Sequence, residues 1–333
     1  MNASLLEKLR KWYHEQGRSL PWREGQDPYR IWVIETLLQQ TQIAQAEARI
    51  EQFFAVFPSL ESLAQASVED VLVLWRGLGY YQRAHNLHRA AQQLYAMGGF
   101  SAVQRVSDPL GTLLRLPGVG PYTARAILSF SGWGNFLPVD GNLLRVLSRL
   151  WAEKETSREF YQRKADELPI AWRQRWVAYA LMDLARLVCT PRRPKCLLCP
   201  LAEGCAALRL GQPEDYPPRA LRPPKSVKHF VFTLCRDGQG VWLEHRPPRG
   251  LWGGLWSLPM RSTTPVSDRE PDFVHELTHF QLRGYIERVP KPPQRTQFIR
   301  WEELREYALP APIQRLLMQE AEAHGVSFSP YQR

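Results

Sequence analysis

The chain has 333 residues, of which 43 are Lys or Arg and 33 are Asp or Glu, so its formal net charge is +10. Hydrophobic residues make up 44% and charged residues 23%, a composition that excludes an intrinsically disordered chain. The length predicts two domains, and the excess positive charge favours a polyanionic partner such as nucleic acid. No apolar run approaches the ~20 residues that a membrane-spanning helix needs, and the first residues lack a signal-peptide pattern, so we expect a cytoplasmic protein.

The first two thirds of the chain are predicted to be helices joined by short turns. Residues 31–54 have helical spacing without Pro or Gly, and residues 84–97 repeat the pattern before Gly98 and Gly99. Further short helices are predicted at residues 71–75, 112–116, 122–130, 142–151 and 172–188. The expected fold class for residues 1–215 is therefore mainly α.

A proline-rich, basic segment separates this part from a second one. Residues 217–228 contain four prolines, four basic residues and no acidic residue, a composition typical of an extended linker. We therefore predict a linker at residues 216–228 and a second domain at residues 229–333. In that domain, strands are predicted at residues 229–235 and 240–245 around an Asp237-Gly238 turn, a strand pair at 275–287, and helices at 301–307 and 313–322. This half is expected to be α+β.

Four of the five cysteines lie close together in the sequence. Cys189, Cys196, Cys199 and Cys205 are separated by six, two and five residues, and this crowding argues against a disulfide framework. Four thiolates in a loop after a helix could hold one iron–sulfur cluster or one zinc ion. The spacing favours iron–sulfur, while zinc and unliganded buried thiols remain alternatives. The basic residues of segment 191–195 could contact a phosphate backbone or form an ordinary solvated loop.

Three further features are candidates for chemistry. The turn Leu116-Pro117-Gly118-Val119-Gly120 lies between two helical stretches and could bind a phosphate through backbone N–H groups, although it could also be a simple turn. Asp140 precedes a helix, where an Asp is often only an N-cap. Glu35 lies in an apolar helix, so burial would raise its pKa and favour a protonated acid at neutral pH, although a lone helical Glu is more often solvated.

Taken together, these residues resemble the helix-hairpin-helix DNA glycosylases of the endonuclease III superfamily, and within it the adenine glycosylases of the MutY family. The matching stretches are LPWR at 20–23, ETLLQQTQ at 35–42, WRGLGYY at 75–81, LPGVGPYTA at 116–124, VDGN at 139–142, the four cysteines, RPP at 246–248 and GLWGGLW at 250–256. The resemblance implies a helical glycosylase domain with a 4Fe–4S cluster held by the four cysteines, followed by a Nudix-like lesion-recognition domain. No catalytic Nudix box follows Gly254, so the second domain is expected to bind nucleotides without hydrolysing them.

The family also implies an activity and the roles of individual residues. The chain would be a monomeric, monofunctional glycosylase that removes adenine mispaired with 8-oxoguanine or guanine from double-stranded DNA, in base excision repair. Glu35 would protonate N7 of the extruded adenine, and Asp140 would stabilise or capture the deoxyribose cation. Tyr122 would support Asp140 and the sugar, and Asn142 would orient Asp140 or water. Trp22, Arg23 and Leu38 would line the base pocket, Gln39 and Tyr80 would fill or wedge the stack near the flipped base, and Gly118 and Gly120 would hold the backbone phosphate.

Two positions bear on whether the enzyme also cuts the strand. Tyr122 stands where bifunctional relatives carry the lysine that forms a Schiff base. Leu144 stands where some relatives carry another lysine. We therefore expect hydrolysis without a lyase step, so that strand breaks appear only with heat or alkali.

Two further positions depart from the adenine glycosylase pattern at base recognition. Tyr179 stands where the family commonly places Gln or Glu, and a phenol makes one hydrogen bond where an amide makes two. The Phe-Ser-His loop for oxidised guanine is replaced by Leu277-Thr278-His279. Thr278 keeps the hydroxyl, so adenine opposite 8-oxoguanine remains the expected substrate, with a weaker preference over guanine.

Three alternative functions fit the sequence less well. A thymine or uracil mismatch glycosylase could use the same scaffold, but such relatives usually end near the cluster. A catalytically inactive lesion-binding protein would not need Glu35, Asp140 and Tyr122 together. A zinc-organised transcription factor is disfavoured because no recognition helix with its own dimer element is evident.

Overall fold

The computed structural model describes residues 2–40, 43–218, 224–265 and 269–326, and the chain forms two compact units. The first unit takes in residues 1–50, 56–64 and 89–221, and the second takes in residues 51–55, 65–88 and 222–333. The second unit therefore includes two segments from the amino-terminal half of the chain. None of the helices in the described part of the chain has the length and apolar character needed to cross a bilayer.

Helices form the chain as far as Arg209. In chain order they are α1 Ala3–Gln16, α2 Pro28–Leu38, α3 Ile43–Val56, α4 Leu60–Gln65, α5 Val68–Leu74, α6 Gln82–Ala96, α7 Gly99–Arg105, α8 Pro109–Leu114, α9 Pro121–Phe130, α10 Gly141–Trp151, α11 Arg158–Asp166, α12 Arg175–Leu187 and α13 Ala206–Arg209. Short 3-10 helices lie at Pro21–Arg23, Ile170–Trp172, Cys196–Leu198, Ala202–Gly204 and Pro213–Asp215. The prediction of a mainly helical first part is confirmed.

The helical spacing predicted over residues 31–54 corresponds to two helices. Helix α2 ends at Leu38 and α3 begins at Ile43, because Gln40 adopts a left-handed backbone conformation with φ 57° that does not continue a right-handed helix. Thr41 and Gln42 lie outside the described residues. The segment predicted at 172–188 is also divided, into the 3-10 turn at Ile170–Trp172 and helix α12.

Helix α2 packs against α9, and α10 packs against α12, within the first unit. Seven of the 11 residues of α2 are buried, among them Trp32 and Val33. Glu35 lies within this apolar stretch and is only partly exposed. Asp27 begins the helix, where its side chain accepts a hydrogen bond from the Tyr29 backbone N–H, and Pro28 occupies the first helical position. Asp is favoured before a helix because its side chain accepts from a free backbone N–H. Proline is favoured at the first position because it lacks an N–H that would be unsatisfied there.

The second unit contains two sheets. Its strands are β1 Ser226–Leu234, β2 Gly240–His245, β3 Trp256–Ser257, β4 Met260–Thr263, β5 Phe273–Glu276, β6 Phe280–Arg288 and β7 Gln297–Arg300. One sheet has the order β4-β1-β6-β5 and the other β3-β2-β7. β1 pairs in parallel with β6 and antiparallel with β4. Helix α14, Ala311–Ala323, contributes Ile313 and Leu317 to the core around Trp301.

The predicted strands of this unit are confirmed, and their pairing adds detail. The chain turns at Asp237, whose carboxylate accepts hydrogen bonds from the backbone N–H groups of Gln239 at 2.8 Å and Gly240 at 3.0 Å. β1 and β2 nevertheless belong to different sheets, joined at this turn by a single bridge between Arg236 and Val241. The pair predicted at 275–287 is the antiparallel pair β5–β6. The segment predicted at 301–307 is a 3-10 helix, Glu302–Glu306.

Candidate active site

A cavity of about 1090 Å³ opens in the first unit. Its wall is built from the ends of several helices, so residues far apart in the sequence meet there. Eleven of the residues that the sequence analysis selected line this cavity: Trp22, Arg23, Glu35, Leu38, Gln39, Gly118, Gly120, Tyr122, Asp140, Asn142 and Tyr179.

Glu35 is hydrogen-bonded to Tyr122 in this cavity. Tyr122, in the first turn of α9, donates from its hydroxyl to Glu35 Oε2 at 2.7 Å. Burial, with the nearby Asp140 carboxylate, raises the pKa of Glu35 to about 7, against the opposing effects of the Tyr122 hydrogen bond and the Arg23 cation. Burial and the two carboxylates raise the pKa of Tyr122 well above its ordinary value, so that side chain stays neutral. At neutral pH a substantial fraction of Glu35 therefore carries a proton that it can donate.

Asp140 is held by three hydrogen bonds at the start of α10. Its Oδ1 accepts from the backbone N–H groups of Asn142 at 2.9 Å and Leu143 at 2.7 Å, and its Oδ2 accepts from Asn142 Nδ2 at 2.9 Å. Asp140 is thus the N-cap that local sequence indicated. The same carboxylate lines the cavity, so the capping role and a role in chemistry are compatible. Because its orientation is fixed in advance, the carboxylate can stabilise positive charge with little reorganisation.

Two arginines of the cavity wall, Arg18 and Arg23, are held by a buried carboxylate that was not among the predicted site residues. Asp183, on α12, is fully buried and accepts two hydrogen bonds from the Arg23 guanidinium, at 2.7 and 3.0 Å. It also accepts from the Arg18 backbone N–H at 2.9 Å and from Arg18 Nε at 2.8 Å. The guanidinium carbon of Arg23 lies 4.6 Å from the ring centroid of Tyr179. An acidic residue within the apolar run of α12 was the available signal for Asp183.

The glycine turn forms a tight connection between α8 and α9. Gly118 has φ 76°, a conformation that glycine adopts without strain. Gly120 is the N-cap residue of α9, and no atom lies within 4 Å of the point where a Cβ would stand. Another group can therefore approach the backbone here and meet the N–H groups of the α9 N-terminus.

Residues at the end of α2 and in the 3-10 turn before it complete this part of the wall. Leu38 is the last residue of α2, and Gln39 follows it and lies opposite the first turn of α9, where its Nε2 donates to Thr123 Oγ1 at 3.3 Å. Trp22 and Arg23 reach the cavity from the 3-10 turn Pro21–Arg23.

Three of the predicted base contacts belong to the second unit. Tyr80 and Thr278 are 198 residues apart in sequence, yet Thr278 Oγ1 donates to the Tyr80 hydroxyl at 2.8 Å. Tyr80 has a left-handed φ of 50° and is 45% exposed. His279 is also exposed and follows Thr278 in the turn between β5 and β6. The structure thus joins two of these three residues in one exposed pair.

The four cysteines follow α12 in a loop that Arg149 holds in place. Arg149, buried on α10, donates to Cys189 Sγ at 3.2 Å and to the carbonyl oxygens of Thr190 at 2.8 Å and Tyr216 at 3.0 Å. Arg145, one turn earlier, donates to the Cys189 carbonyl at 2.9 Å and to Asn142 Oδ1 at 3.2 Å. Helix α10 therefore connects the Asp140 end of the cavity to the cysteine loop.

The chemistry of these thiols fits an iron–sulfur cluster. Burial, together with the charges of the other three cysteines, raises the pKa of Cys199 to about 12, so its thiolate needs a compensating positive charge such as a metal cluster supplies. Four Cys thiolates are the usual ligand set of a 4Fe–4S cluster.

Family profiles match three parts of the chain. Residues 33–169 match the HhH-GPD superfamily of base excision DNA repair proteins, residues 189–205 the iron–sulfur binding domain of endonuclease III, and residues 230–319 the NUDIX domain. These matches confirm the predicted fold class, a helix-hairpin-helix glycosylase part followed by an α+β Nudix-like part. They also confirm the 4Fe–4S cofactor.

Relatives of known activity match most of the chain. An adenine DNA glycosylase of Buchnera aphidicola subsp. Schizaphis graminum is 30% identical, covering 81% of this chain and 83% of its own length. The adenine DNA glycosylase of Rattus norvegicus is 31% identical, with coverages of 82% and 63%.

Among solved structures, a thermostable thymine-DNA glycosylase is similar with a TM-score of 0.55 and 25% identity, covering 62% of this chain and 95% of that chain. Endonuclease III in a non-covalent DNA complex has a TM-score of 0.52 at 19% identity, which bears on the fold alone. The likeness to the thymine glycosylase thus leaves over a third of the chain unmatched, whereas the adenine glycosylases extend over about four fifths of it. The chain therefore belongs to the adenine DNA glycosylase family, as an enzyme of base excision repair that hydrolyses the N-glycosyl bond of adenine in DNA.

Proposed function

We propose that this enzyme removes adenine mispaired with 8-oxoguanine or guanine by monofunctional hydrolysis, with Glu35 as the general acid and Asp140 as the anion that faces the deoxyribose. The observation that carries the proposal is the pair of carboxylates in one cavity. The pKa of Glu35 is raised to about 7, while Asp140 is held by three hydrogen-bond donors. Two carboxyl groups in such different environments suit an acid and an anion respectively.

Glu35 donates its proton to N7 of the extruded adenine, which makes the base a better leaving group. The C1′–N9 bond then breaks, and its electron pair leaves with the base. Asp140 stabilises the positive charge that develops on the sugar, or captures it covalently until water arrives. Tyr122 keeps the Glu35 carboxyl in position through its 2.7 Å hydrogen bond, and Asn142 orients Asp140 or the attacking water.

The absence of lysine from the cavity wall supports a hydrolytic mechanism. Among the described residues that line the cavity, none is a lysine, although several are arginines. An arginine keeps its proton at physiological pH and does not form a Schiff base with the sugar. We therefore assign the enzyme no lyase step.

Contacts with DNA outside the cleaved bond are part of the same proposal. Gly118 and Gly120 bind a backbone phosphate through the amide groups at the α9 N-terminus. Trp22, Arg23, Leu38, Gln39 and Tyr179 surround the extruded base. Tyr80, Thr278 and His279 contact the opposite base.

The remaining proposals concern organisation. The glycosylase domain spans residues 1–215, the linker residues 216–228 and the lesion-recognition domain residues 229–333. Cys189, Cys196, Cys199 and Cys205 hold the cluster. The enzyme acts as a monomer in the cytoplasm, associated with the nucleoid through DNA.

Single-turnover base release from a duplex panel tests the substrate and the reaction type together. Adenine, thymine and uracil are each placed opposite 8-oxoguanine and opposite guanine, and each reaction is developed with and without alkali. We expect adenine release that is faster opposite 8-oxoguanine, with strand breaks only after alkali. Release of thymine or uracil in place of adenine, or strand breaks without alkali, would contradict the proposal.

A matched pair of variants tests the two carboxylates. Asp140→Asn and Glu35→Gln should each slow adenine release by roughly 10²-fold or more, while binding to the mispaired duplex persists. A rate within tenfold of the parent enzyme for either variant would remove that carboxylate from the mechanism.

A further inference from the structure

Among the described residues that line the cavity, seven are arginines, and they fall into two groups. Four of them are held by carboxylates or carbonyl oxygens of the protein: Arg18, Arg23, Arg125 and Arg145. The other three are exposed, and their guanidinium groups make no hydrogen bond or ion pair with the residues that the structure describes: Arg158, Arg163 and Arg186. The charges of this second group are therefore available to a ligand.

Arg158 lies next to the start of α10, where Asp140 is the N-cap. Its Nη2 is 3.8 Å from the point where a Cβ on Gly141 would stand, and Gly141 directly follows Asp140. The guanidinium does not bind the Asp140 carboxylate, whose three hydrogen bonds come from Asn142 and Leu143. Within the described part of the chain, its N–H groups therefore have no acceptor, although they lie where the proposed mechanism places the deoxyribose.

Helix stability does not account for an arginine at this position. Arg158 is the first residue of α11, after the N-cap Ser157. The amino-terminal end of a helix carries partial positive charge, so a cation in the first turn is unfavourable and an acidic residue is preferred. Glu159, the next residue, is of the preferred type. The positive charge at position 158 is therefore better explained by a ligand than by the fold.

A phosphate is the ligand that fits this group. A guanidinium is a planar, permanently charged fork that binds phosphate oxygens through two N–H groups at once. In DNA, each deoxyribose carries one phosphate on its 5′ oxygen and another on its 3′ oxygen. A cation beside the carboxylate that faces the sugar therefore lies on the path of one of these two phosphates.

We propose that Arg158 binds one of the two phosphates that flank the target nucleotide, and so holds the extruded sugar against Asp140. The inference rests on the proposed function, because it takes Asp140 as the group that faces the deoxyribose. It adds a side-chain contact to the backbone amides proposed for phosphate binding at the glycine turn. Arg158 takes no part in proton transfer, because its guanidinium stays charged.

The first test measures how DNA affinity depends on salt. The duplex carries 2′-fluoro-2′-deoxyadenosine opposite 8-oxoguanine, because the fluorine destabilises positive charge on the sugar and the base stays attached during the measurement. For the full-length, cluster-containing enzyme, we expect Arg158→Gln to weaken binding by roughly tenfold at low salt. The slope of log Kd against log salt concentration should fall by about 1, the value for one lost phosphate contact.

Arg105→Gln is the matched control for this test. It removes an equal charge at an exposed position at the end of α7 that does not line the cavity, so both quantities should stay unchanged. Equal effects of Arg158→Gln and Arg105→Gln, or an unchanged salt slope in Arg158→Gln, would overturn the inference. Visible absorption of the cluster checks that each variant is folded.

The second test identifies the phosphate. An uncharged methylphosphonate replaces the phosphate on the 5′ side of the target nucleotide in one duplex and on the 3′ side in another. At one of these positions the replacement should weaken binding of the parent enzyme by roughly tenfold, but that of Arg158→Gln by less than about twofold. Arg158→Lys, which keeps the charge but not the fork, should lie between the two.

A purely structural role of Arg158 gives a different pattern. Each methylphosphonate would then weaken binding of the parent enzyme and of Arg158→Gln by the same factor, and this result would overturn the inference. Adenine release from the unmodified duplex is measured separately with the parent enzyme. If the parent releases adenine, a negative result above removes only the Arg158 contact. If it releases none, the proposed function fails whatever the binding results.

Discussion

At the scale of single residues, burial and a hydrogen bond shift the pKa of Glu35 in opposite directions. Burial favours the protonated form and raises the pKa to about 7, whereas the Tyr122 hydroxyl, 2.7 Å from Oε2, favours the ionised form. The protonated form is the one that can act as an acid. The carboxyl is therefore poised so that its proton is present at neutral pH and can still be transferred.

The pH dependence of kcat/KM follows from this balance, because kcat/KM reports the ionisation of the free enzyme. We expect kcat/KM for adenine release to be high below pH 7 and to fall as the pH rises through about 7, where Glu35 loses its proton. Tyr122→Phe removes a hydrogen bond that lowers the Glu35 pKa, so the break in the pH profile, the pH at which kcat/KM starts to fall, should move to higher pH. The maximal rate should fall as well. A break that stays in place in Tyr122→Phe would show that another group controls it.

Asp183 provides a second prediction at this scale, on stability. Burial raises the pKa of Asp183, but hydrogen bonds from Arg23 and Arg18 outweigh it and hold the pKa below its ordinary value. Asp183→Asn leaves the two arginines without their shared anion, so we expect the free energy of unfolding to fall by about 3–5 kcal/mol, measured by urea denaturation.

Asp166→Asn is the matched control for Asp183→Asn. The Asp166 carboxylate pairs with Arg125 at 3.1 Å but is 35% exposed, so its loss should cost less than about 1 kcal/mol. Equal effects of the two substitutions would contradict the idea that burial makes the Asp183 pairs important.

At the scale of elements, helix α10 links the cavity to the cysteine loop. Asp140 caps one end of the helix, and Arg149, near the other end, reaches Cys189 and the carbonyl groups around it. Arg145 lies between them and contacts both Asn142 and the Cys189 carbonyl. The loop that holds the cluster and the carboxylate proposed for catalysis are therefore positioned by one rigid element.

Arg149→Lys tests the importance of that link for the cluster. A lysine keeps the positive charge but cannot reproduce the several directed bonds of the guanidinium, so carbonyl oxygens of the loop lose their donors. We expect a lower content of iron per purified chain and a free energy of unfolding reduced by about 1–3 kcal/mol. Arg209→Lys, at an exposed position at the end of α13, should leave both quantities unchanged. Full iron content in Arg149→Lys would contradict the prediction.

The glycine turn allows stability and DNA binding to be separated. Gly118→Ala forces a side chain into φ 76° and should cost about 1–2 kcal/mol of stability. Gly120 has φ −87° and open space around its Cβ position, so Gly120→Ala adds neither backbone strain nor a clash and should cost at most about 1 kcal/mol, the difference between Gly and Ala at an N-cap. It should nevertheless weaken duplex binding several-fold in fluorescence anisotropy, because the added methyl group meets the phosphate. Unchanged affinity in Gly120→Ala would argue against phosphate binding at this turn.

Local sequence signals predict some elements better than others. Gly120 is the N-cap of α9, whose first residue is Pro121, and Asp140 is the N-cap of α10. These residue types favour helix starts through their own backbone and side chain. The break after Leu38 carries no Pro or Gly signal, and Gln40, which adopts the left-handed conformation there, is not a residue type that marks a helix end. Glu35 could be selected because it interrupts an apolar helix, but its hydrogen bond to Tyr122 depends on tertiary packing.

At the scale of the whole molecule, the compact units are not contiguous in sequence. Residues 51–55 and 65–88 fold together with residues 222–333. The contacts include hydrogen bonds from the Tyr81 hydroxyl to the Leu309 carbonyl at 3.3 Å and from Thr278 to Tyr80 at 2.8 Å. The sequence motifs around Tyr80 and Thr278 could each be selected separately, but no local signal indicates that two residues 198 positions apart are partners.

The Tyr80–Thr278 pair yields a prediction about the choice of opposite base. If this pair contacts that base as a unit, Tyr80→Phe and Thr278→Val should each reduce the preference for 8-oxoguanine over guanine, and the double variant should reduce it little further. Such coupling should amount to about 0.5–1.5 kcal/mol in a double-mutant cycle on single-turnover rates. Thr263→Val, on β4 of the same unit, is the control and should leave the preference unchanged. Fully additive effects would mean that the two hydroxyl groups act independently. Coupled effects would mean that the preference for 8-oxoguanine over guanine depends on the hydrogen bond between Thr278 and Tyr80.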